Sequence, residues 1–160
     1  IRSQMSLTAE FERAGGRFLK GDAVVDAEFD ENGHVKSVGT QNFGNIRLYA
    51  DNFVLASGSF FSKGMIATPD RIIEPVFGVD LSYPEGRDQW FDRNFWNRQN
   101  YISFGAKTDE TMNAYIEGRK VENLYVIGSL IGGCNALYEG CGGGTAIITA
   151  LAAADRVLEN

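Results

Sequence analysis

Apolar residues at Met5, Leu7, Ala9 and Phe11 are set among charges and stop at Gly15-Gly16, a pattern that predicts a short helix over residues 2–14 ended by glycine. Residues 17–20 then read as a brief strand. Strand-like stretches at 23–30 and 35–40 flank Glu31-Asn32-Gly33-His34, and an Asn-Gly step between two such stretches predicts a hairpin. Residues 46–49 add a third strand to this antiparallel layer. Residues 53–56 form a short continuous apolar run, the pattern of a buried central strand.

From residue 65 to 100 the pattern breaks. All three prolines (Pro69, Pro75 and Pro84) and both tryptophans lie there among many charges, so this stretch reads as an irregular insertion or cap. Phe77, Tyr83, Trp90, Phe91, Phe95 and Trp96 are read as packing. Arg71, Arg87, Arg93 and Arg98 could clamp a phosphate or carboxylate, but among acidic neighbours they read as solvated surface. The sheet pattern resumes at 102–105, residues 107–111 read as a turn, and 124–127 as a second buried strand.

The last helix is expected over residues 145–158 and is apolar almost all round. A helix of that kind needs cover on most sides. Part of that cover is expected to lie outside these residues, with self-association through the bare helix as a consequence.

Between that strand and that helix lies the chain's main chemical signal, the glycine-rich stretch Gly140-Cys141-Gly142-Gly143-Gly144-Thr145. A helix start preceded by small residues presents bare amide groups and partial positive charge to an anionic or electron-rich ligand. It is not a nucleoside-triphosphate loop, because no lysine precedes Thr145. A dinucleotide fingerprint fails too: Gly140 and Gly142 supply G-x-G, but Thr145 stands in place of the third glycine. The stretch is the closing strand–helix step of a sheet, not its opening one. The amides of Gly143, Gly144 and Thr145 are the expected ligand donors. The competing reading is that the glycines only let the helix pack on the sheet.

Composition narrows the classes. At 160 residues there is room for one domain; the start at Ile1 without an initiator Met suggests a piece of a longer chain. Lys and Arg total 15 against 21 Asp and Glu, a formal charge of -6 with no basic run, so nucleic acid is a poor partner. No apolar run reaches the roughly 18 residues of a membrane span and no signal peptide is evident, so a soluble, cytoplasmic protein is expected. The two cysteines, Cys134 and Cys141, match no zinc spacing and read as reduced thiols, with redox chemistry as the minor alternative. No metal site is expected. His34 reads as a bystander in a turn.

Several segments resemble one family closely. Leu55-Ala56-Ser57-Gly58-Ser59-Phe60-Phe61-Ser62-Lys63-Gly64, Ile73 to Asp80, Phe104-Gly105 with Thr108-Asp109-Glu110, and Glu122 through Gly144 are similar to the B subunits of anaerobic glycerol-3-phosphate dehydrogenases. Nearly the whole chain resembles their C-terminal portion. The resemblance implies an α/β fold: the C-terminal part of a two-dinucleotide-fold flavoprotein, with a central parallel sheet, a three-stranded antiparallel excursion and a closing helix. Residues 1–64 and 101–160 would form the C-terminal half of a flavin-binding domain and 65–100 the substrate or cap insertion, the N-terminal glycine-rich half being absent.

The resemblance also implies flavin-dependent oxidation of sn-glycerol 3-phosphate to dihydroxyacetone phosphate, with electrons passed to a quinone. A catalytic A subunit and a membrane-anchoring iron-sulfur C subunit are the implied partners, holding the protein on the cytoplasmic face of the inner membrane. The flavin, FMN or FAD, is expected to be absent from or weakly held by this chain, which by itself would be inactive. Cofactor positions carried over are Ala56, Ser57 and Gly58, then Gly128 and Ser129, and then Gly142, Gly143, Gly144 and Thr145. Ser129 stands where relatives place a carboxylate against the ribityl chain. No catalytic acid or base is assigned; Arg71, Glu74, Asp109 and Arg119 are unranked candidates. A fumarate-reductase-like or ketosteroid-dehydrogenase-like enzyme, or a non-catalytic electron-relay or docking subunit, remains the alternative.

Overall fold

The computed structural model describes residues 2–159. Helix α1 (Arg2–Arg13) ends at Gly15, whose φ of 90° is a backbone state open to glycine. Residues 17–20, expected as a strand, form none; Phe18 and Leu19 are about half exposed there. Strands β1 (Val24–Phe29), β2 (Val35–Thr40) and β3 (Arg47–Tyr49) build the antiparallel layer in chain order. Gly33 supplies the positive φ of the first hairpin, and the Asp30 carboxylate accepts the amides of Asn32 and His34 at 2.8 and 2.9 Å.

The next strand, β4 (Phe53–Leu55), leads into a 3-10 turn at Phe60–Ser62. Two small strands follow, β5 (Ile66–Ala67) and β6 (Ile72–Ile73), paired as a hairpin; β7 (Leu81–Ser82) pairs instead with β8 (Gly105–Ala106) across the irregular stretch. Of the expected strand at 102–105, Ile102 and Ser103 lie in a 3-10 turn, Asn100–Ser103, and only Gly105 belongs to β8. Strands β9 (Asn113–Ile116) and β10 (Arg119–Val126) form an antiparallel hairpin, and β10 pairs in parallel with β4. Helix α2 (Ala136–Glu139) is a single turn just before the glycine-rich stretch, and helix α3 (Gly142–Glu159) closes the chain.

The α/β class, the antiparallel excursion and the closing helix are as the pattern indicated. The central sheet runs β4-β10-β9, with one parallel pair and one antiparallel neighbour. β4 therefore lies at an edge of that sheet among the described residues, with Val54 half exposed, and is not the buried central strand expected of it. β10 takes that place: Leu124 and Val126 are fully buried. They join Leu55, Ala114, Leu130 and Val35 in one apolar core, to which Met65, Ile72, Val79 and Trp90 of the irregular stretch also belong.

Asn123 fastens the two sheets together. Its amide group donates to the carbonyls of Val35 and Asp51 at 2.8 and 3.0 Å, and its oxygen accepts the Val35 amide at 2.9 Å. The β9–β10 hairpin turns on Glu117 and Gly118, at φ of 52° and 74°, as a two-residue turn with both central residues left-handed demands. Asp80 stabilises that turn by accepting both amides, at 3.0 and 2.7 Å.

Candidate functional site

Because β4 and β10 are parallel and in register, Leu124 beside Phe53 and Val126 beside Leu55, both strands end together. Ala56-Ser57-Gly58 and Gly128-Ser129 thus leave the sheet side by side, tied by the Ile127 amide on the Leu55 carbonyl at 3.1 Å. In open α/β sheets ligands bind outside such carboxyl ends. Gly58 has a φ of 78°, and a Cβ there would collide with the Ser62 hydroxyl and lie 3.4 Å from Ser129 Oγ. Ser57 Oγ is buried with no hydrogen-bond partner.

Helix α3 abuts the same strand end. The Thr149 hydroxyl donates to the Thr145 carbonyl at 2.7 Å and accepts the Gly128 amide at 2.9 Å, so it couples helix to strand end. The pattern reading passed over Thr149, since a threonine in an apolar helix carries no signal by itself. The helix starts at Gly142, three residues before the predicted start. The amide of Thr145 is therefore spent on the Cys141 carbonyl, 2.9 Å away. The amides with no carbonyl behind them in the helix are those of Gly142, Gly143 and Gly144, not of Gly143, Gly144 and Thr145.

These elements enclose a cavity of about 340 Å³. Gly128, Ser129, Gly142 and Thr145 line it, together with Ser59, Phe61, Ile102, Ile131, Cys134, Ala136 and Leu137. Ala56, Ser57 and Gly58, like Gly143 and Gly144, lie outside its lining. An added Cβ at Gly143 or Gly144 would meet nothing within 4 Å, and one at Gly142 only the Ala136 methyl at 3.5 Å. Packing within this chain thus does not require the three glycines, although glycine in a helix is disfavoured by up to about 1 kcal/mol relative to alanine. An orphaned hydroxyl at the strand end, and a helix start kept bare without internal need, fit a flat ligand with polar edges.

Asn135, 1% exposed, caps α2 by accepting the Tyr138 amide at 3.0 Å, while its Nδ2 has no partner. An Asn four residues ahead of the last residue of α2, with Gly140 at φ 67° just after it, was the available signal for that turn. Cys141 Sγ lies 3.5 Å from Cys134 Sγ. The Thr145 hydroxyl draws the Cys134 thiol down, but burial and the neighbouring Cys141 and Glu139 outweigh it and leave the thiol above its ordinary range. Although the spacing matches no zinc pattern, ligand atoms of Cys134, Glu139 and Cys141 fall within 4.8 Å of one another.

The unranked acid–base candidates are engaged elsewhere. Glu74 is buried and accepts the amides of Val76, Phe77 and Gly78 at 3.0, 2.7 and 2.9 Å, as the anchor of its own turn. Asp109 accepts the Thr111 amide and hydroxyl and the Asn113 amide, with Lys120 at 3.5 Å. Desolvation raises its pKa, but the Thr111 and Asn113 hydrogen bonds and Lys120 prevail and hold it below the ordinary carboxylate value. Arg119 lines a separate cleft against Asp30 to Gly33, and Arg71 another beside Glu74. Arg87, read as solvated surface, donates to the carbonyls of Thr68 and Pro69 and lies over Trp90. Arg98 lies over Tyr138.

Comparison with known proteins bears on this geometry. The family described as FAD binding domain matches residues 1–145. Over 99% of its length the chain is 41% identical to a Vibrio vulnificus (strain CMCP6) protein named as the B subunit of anaerobic glycerol-3-phosphate dehydrogenase, covering 36% of that protein. Proteins of the same name from Haemophilus influenzae (strain 86-028NP) and Aliivibrio fischeri (strain MJ11) are 42% and 37% identical, again over 99% of the chain and 38% and 37% of their own lengths. The chain thus spans little more than a third of these relatives. No solved structure matches it. Among the described residues, no helix is long and apolar enough to cross a membrane.

Proposed function

The chain belongs to the FAD binding domain family, and from that premise we propose that it forms the closing part of the flavin site of a glycerol-3-phosphate dehydrogenase subunit. The observation that carries the reading is the bare first turn of α3 beside the paired ends of β4 and β10. When bound, a flavin supplies two-electron oxidation, here of the secondary alcohol of sn-glycerol 3-phosphate to the ketone of dihydroxyacetone phosphate, with a quinone as final acceptor.

The chain's own residues have three tasks in this reading. The amides of Gly142, Gly143 and Gly144, backed by the α3 dipole, stabilise negative charge on the cofactor by preorganised electrostatics. The hydroxyls of Ser129 and Ser57 offer hydrogen bonds at the two strand ends, and the second gains the partner it lacks. Phe61, Ile131 and Leu137 give the cavity an apolar side. The reading extends to an A and a C partner subunit, the latter holding the complex at the membrane.

The test is Gly144→Val in the full-length subunit. FMN and FAD titrations should read at least about tenfold weaker affinity, or about 1.4 kcal/mol, with the unfolding midpoint unchanged because the new side chain meets open space. A folded variant with wild-type flavin affinity overturns the placement. Reduction of the assembled complex by glycerol 3-phosphate, and not by succinate or a ketosteroid, tests the substrate; the opposite preference overturns it. A full-length subunit that binds neither flavin is the docking subunit of the alternative reading.

A further inference from the structure

The only two cysteines of the sequence, 134 and 141, end with their sulfurs 3.5 Å apart, in van der Waals contact. They come from different elements. Cys134 precedes the short helix α2 and lines the cavity, whereas Cys141 is the residue just before α3. The Thr145 hydroxyl lies 3.7 and 3.6 Å from the two sulfurs, so three consecutive turns of chain converge on one point. Both thiols are partly exposed, so a small oxidant reaches them. Nothing in the proposed flavin chemistry uses either one.

We propose that Cys134 and Cys141 are a redox-active dithiol that closes to an intramolecular disulfide when a peroxide or a small-molecule disulfide reaches the cavity. With hydrogen peroxide, one thiolate attacks an oxygen, the O–O bond breaks and the first water leaves; the sulfur is now a sulfenic acid. The second thiol attacks that sulfur, an S–S bond forms, and the oxygen departs as a second water. Two thiols lose two protons and two electrons, and one peroxide is reduced to two waters.

Closure draws the sulfurs from 3.5 Å to about 2.0 Å. The stretch from Cys134 to Cys141, just before α3, becomes an eight-residue ring. The geometry favours this over a cation held by Cys134, Glu139 and Cys141. Three donors fall short of the four of a closed zinc site, and the positive end of α3 opposes a cation but not a neutral S–S bond.

Cleavage after Glu139 reads the outcome, because it separates the two cysteines while no Lys or Arg lies between them. The chain is titrated with hydrogen peroxide and, separately, with glutathione redox buffers. Both thiols should disappear together, with a mass loss of two hydrogens, and the two peptides should stay joined until reduced. In Cys134→Ser, Cys141 should instead accumulate a stable glutathione adduct that the wild type resolves. Unlinked peptides carrying separate adducts or sulfinic acid, or a disulfide between chains, overturn the proposal. None of these readouts depends on flavin binding, so they stand apart from the reading above.

Discussion

Around the β9–β10 turn the carboxylates of Glu74, Asp80 and Asp109 are each met by backbone amides, whereas at the strand ends beside α3 the buried Ser57 Oγ and Asn135 Nδ2 have no partner. Two more buried atoms lack one among the described residues, Asp22 Oδ2 and Thr40 Oγ1. Those two act on each other, since the Thr40 hydroxyl is the main influence holding the Asp22 carboxyl below its ordinary value. The apolar side differs in the same sense. Leu124 and Val126 of β10 are fully buried, but Ile147, Ile148 and Leu151 of α3 are each more than 60% exposed. One region meets its own needs for hydrogen bonds and burial. The other leaves them open.

A matched pair of truncations separates the two regions. Leu124→Ala empties a packed site and should cost about 2 to 5 kcal/mol in urea unfolding. Leu151→Ala removes the same atoms from an exposed face and should cost under about 0.5 kcal/mol. If Leu151→Ala is as costly, and the loss grows with protein concentration, the bare face of α3 is covered by a second copy in solution. That outcome would make self-association part of the chain's stability.

Asp109 tests the self-sufficient region with a smaller effect. Asp109→Ala removes the acceptor for two amides and the Thr111 hydroxyl and should cost about 1 to 3 kcal/mol at neutral pH. Its folded pKa is lowered, so the ionised form is favoured by folding. That part of the contribution is complete above the unfolded value of about 3.9 and is lost as pH falls through the folded one. The stability gap between wild type and Asp109→Ala, followed by urea unfolding from pH 7 downward, should therefore narrow only below about pH 4. A gap that narrows well above pH 4 would mean that the Asp109 carboxylate is not the group that holds this turn.

What the sequence made legible follows the same division. The hairpin at Asn32-Gly33, the strands around it and the apolar final helix could be read because local residue choice and global position agree there. The β9–β10 hairpin was missed because Glu117 is an unusual residue for a left-handed position, and what stabilises it, Asp80, is 37 positions away. Residues 53–56 looked buried because an apolar run does not say whether a strand is central or at an edge. At the site, Gly128, Ser129, Gly142 and Thr145 line one cavity, and the helix starts three residues before its expected position. Glycine propensity argues for a loop, whereas the Thr145 amide on the Cys141 carbonyl shows that the helix already runs through the glycines.

The smallest expected effect has the opposite sign and bears most directly on the open region. Ser57 Oγ has left water without gaining a partner in the protein, so it carries a desolvation cost that folding of this chain does not offset. Ser57→Ala removes that cost with little change of volume, and the isolated chain should be as stable as wild type or more stable by up to about 1 kcal/mol. A Ser buried in an ordinary network behaves the other way, because its removal leaves a partner unsatisfied. A loss of more than about 1 kcal/mol in urea unfolding would therefore mean that the hydroxyl is already bonded in solution. The strand end would then join the self-sufficient region, and the hydroxyl would have nothing left to offer a ligand.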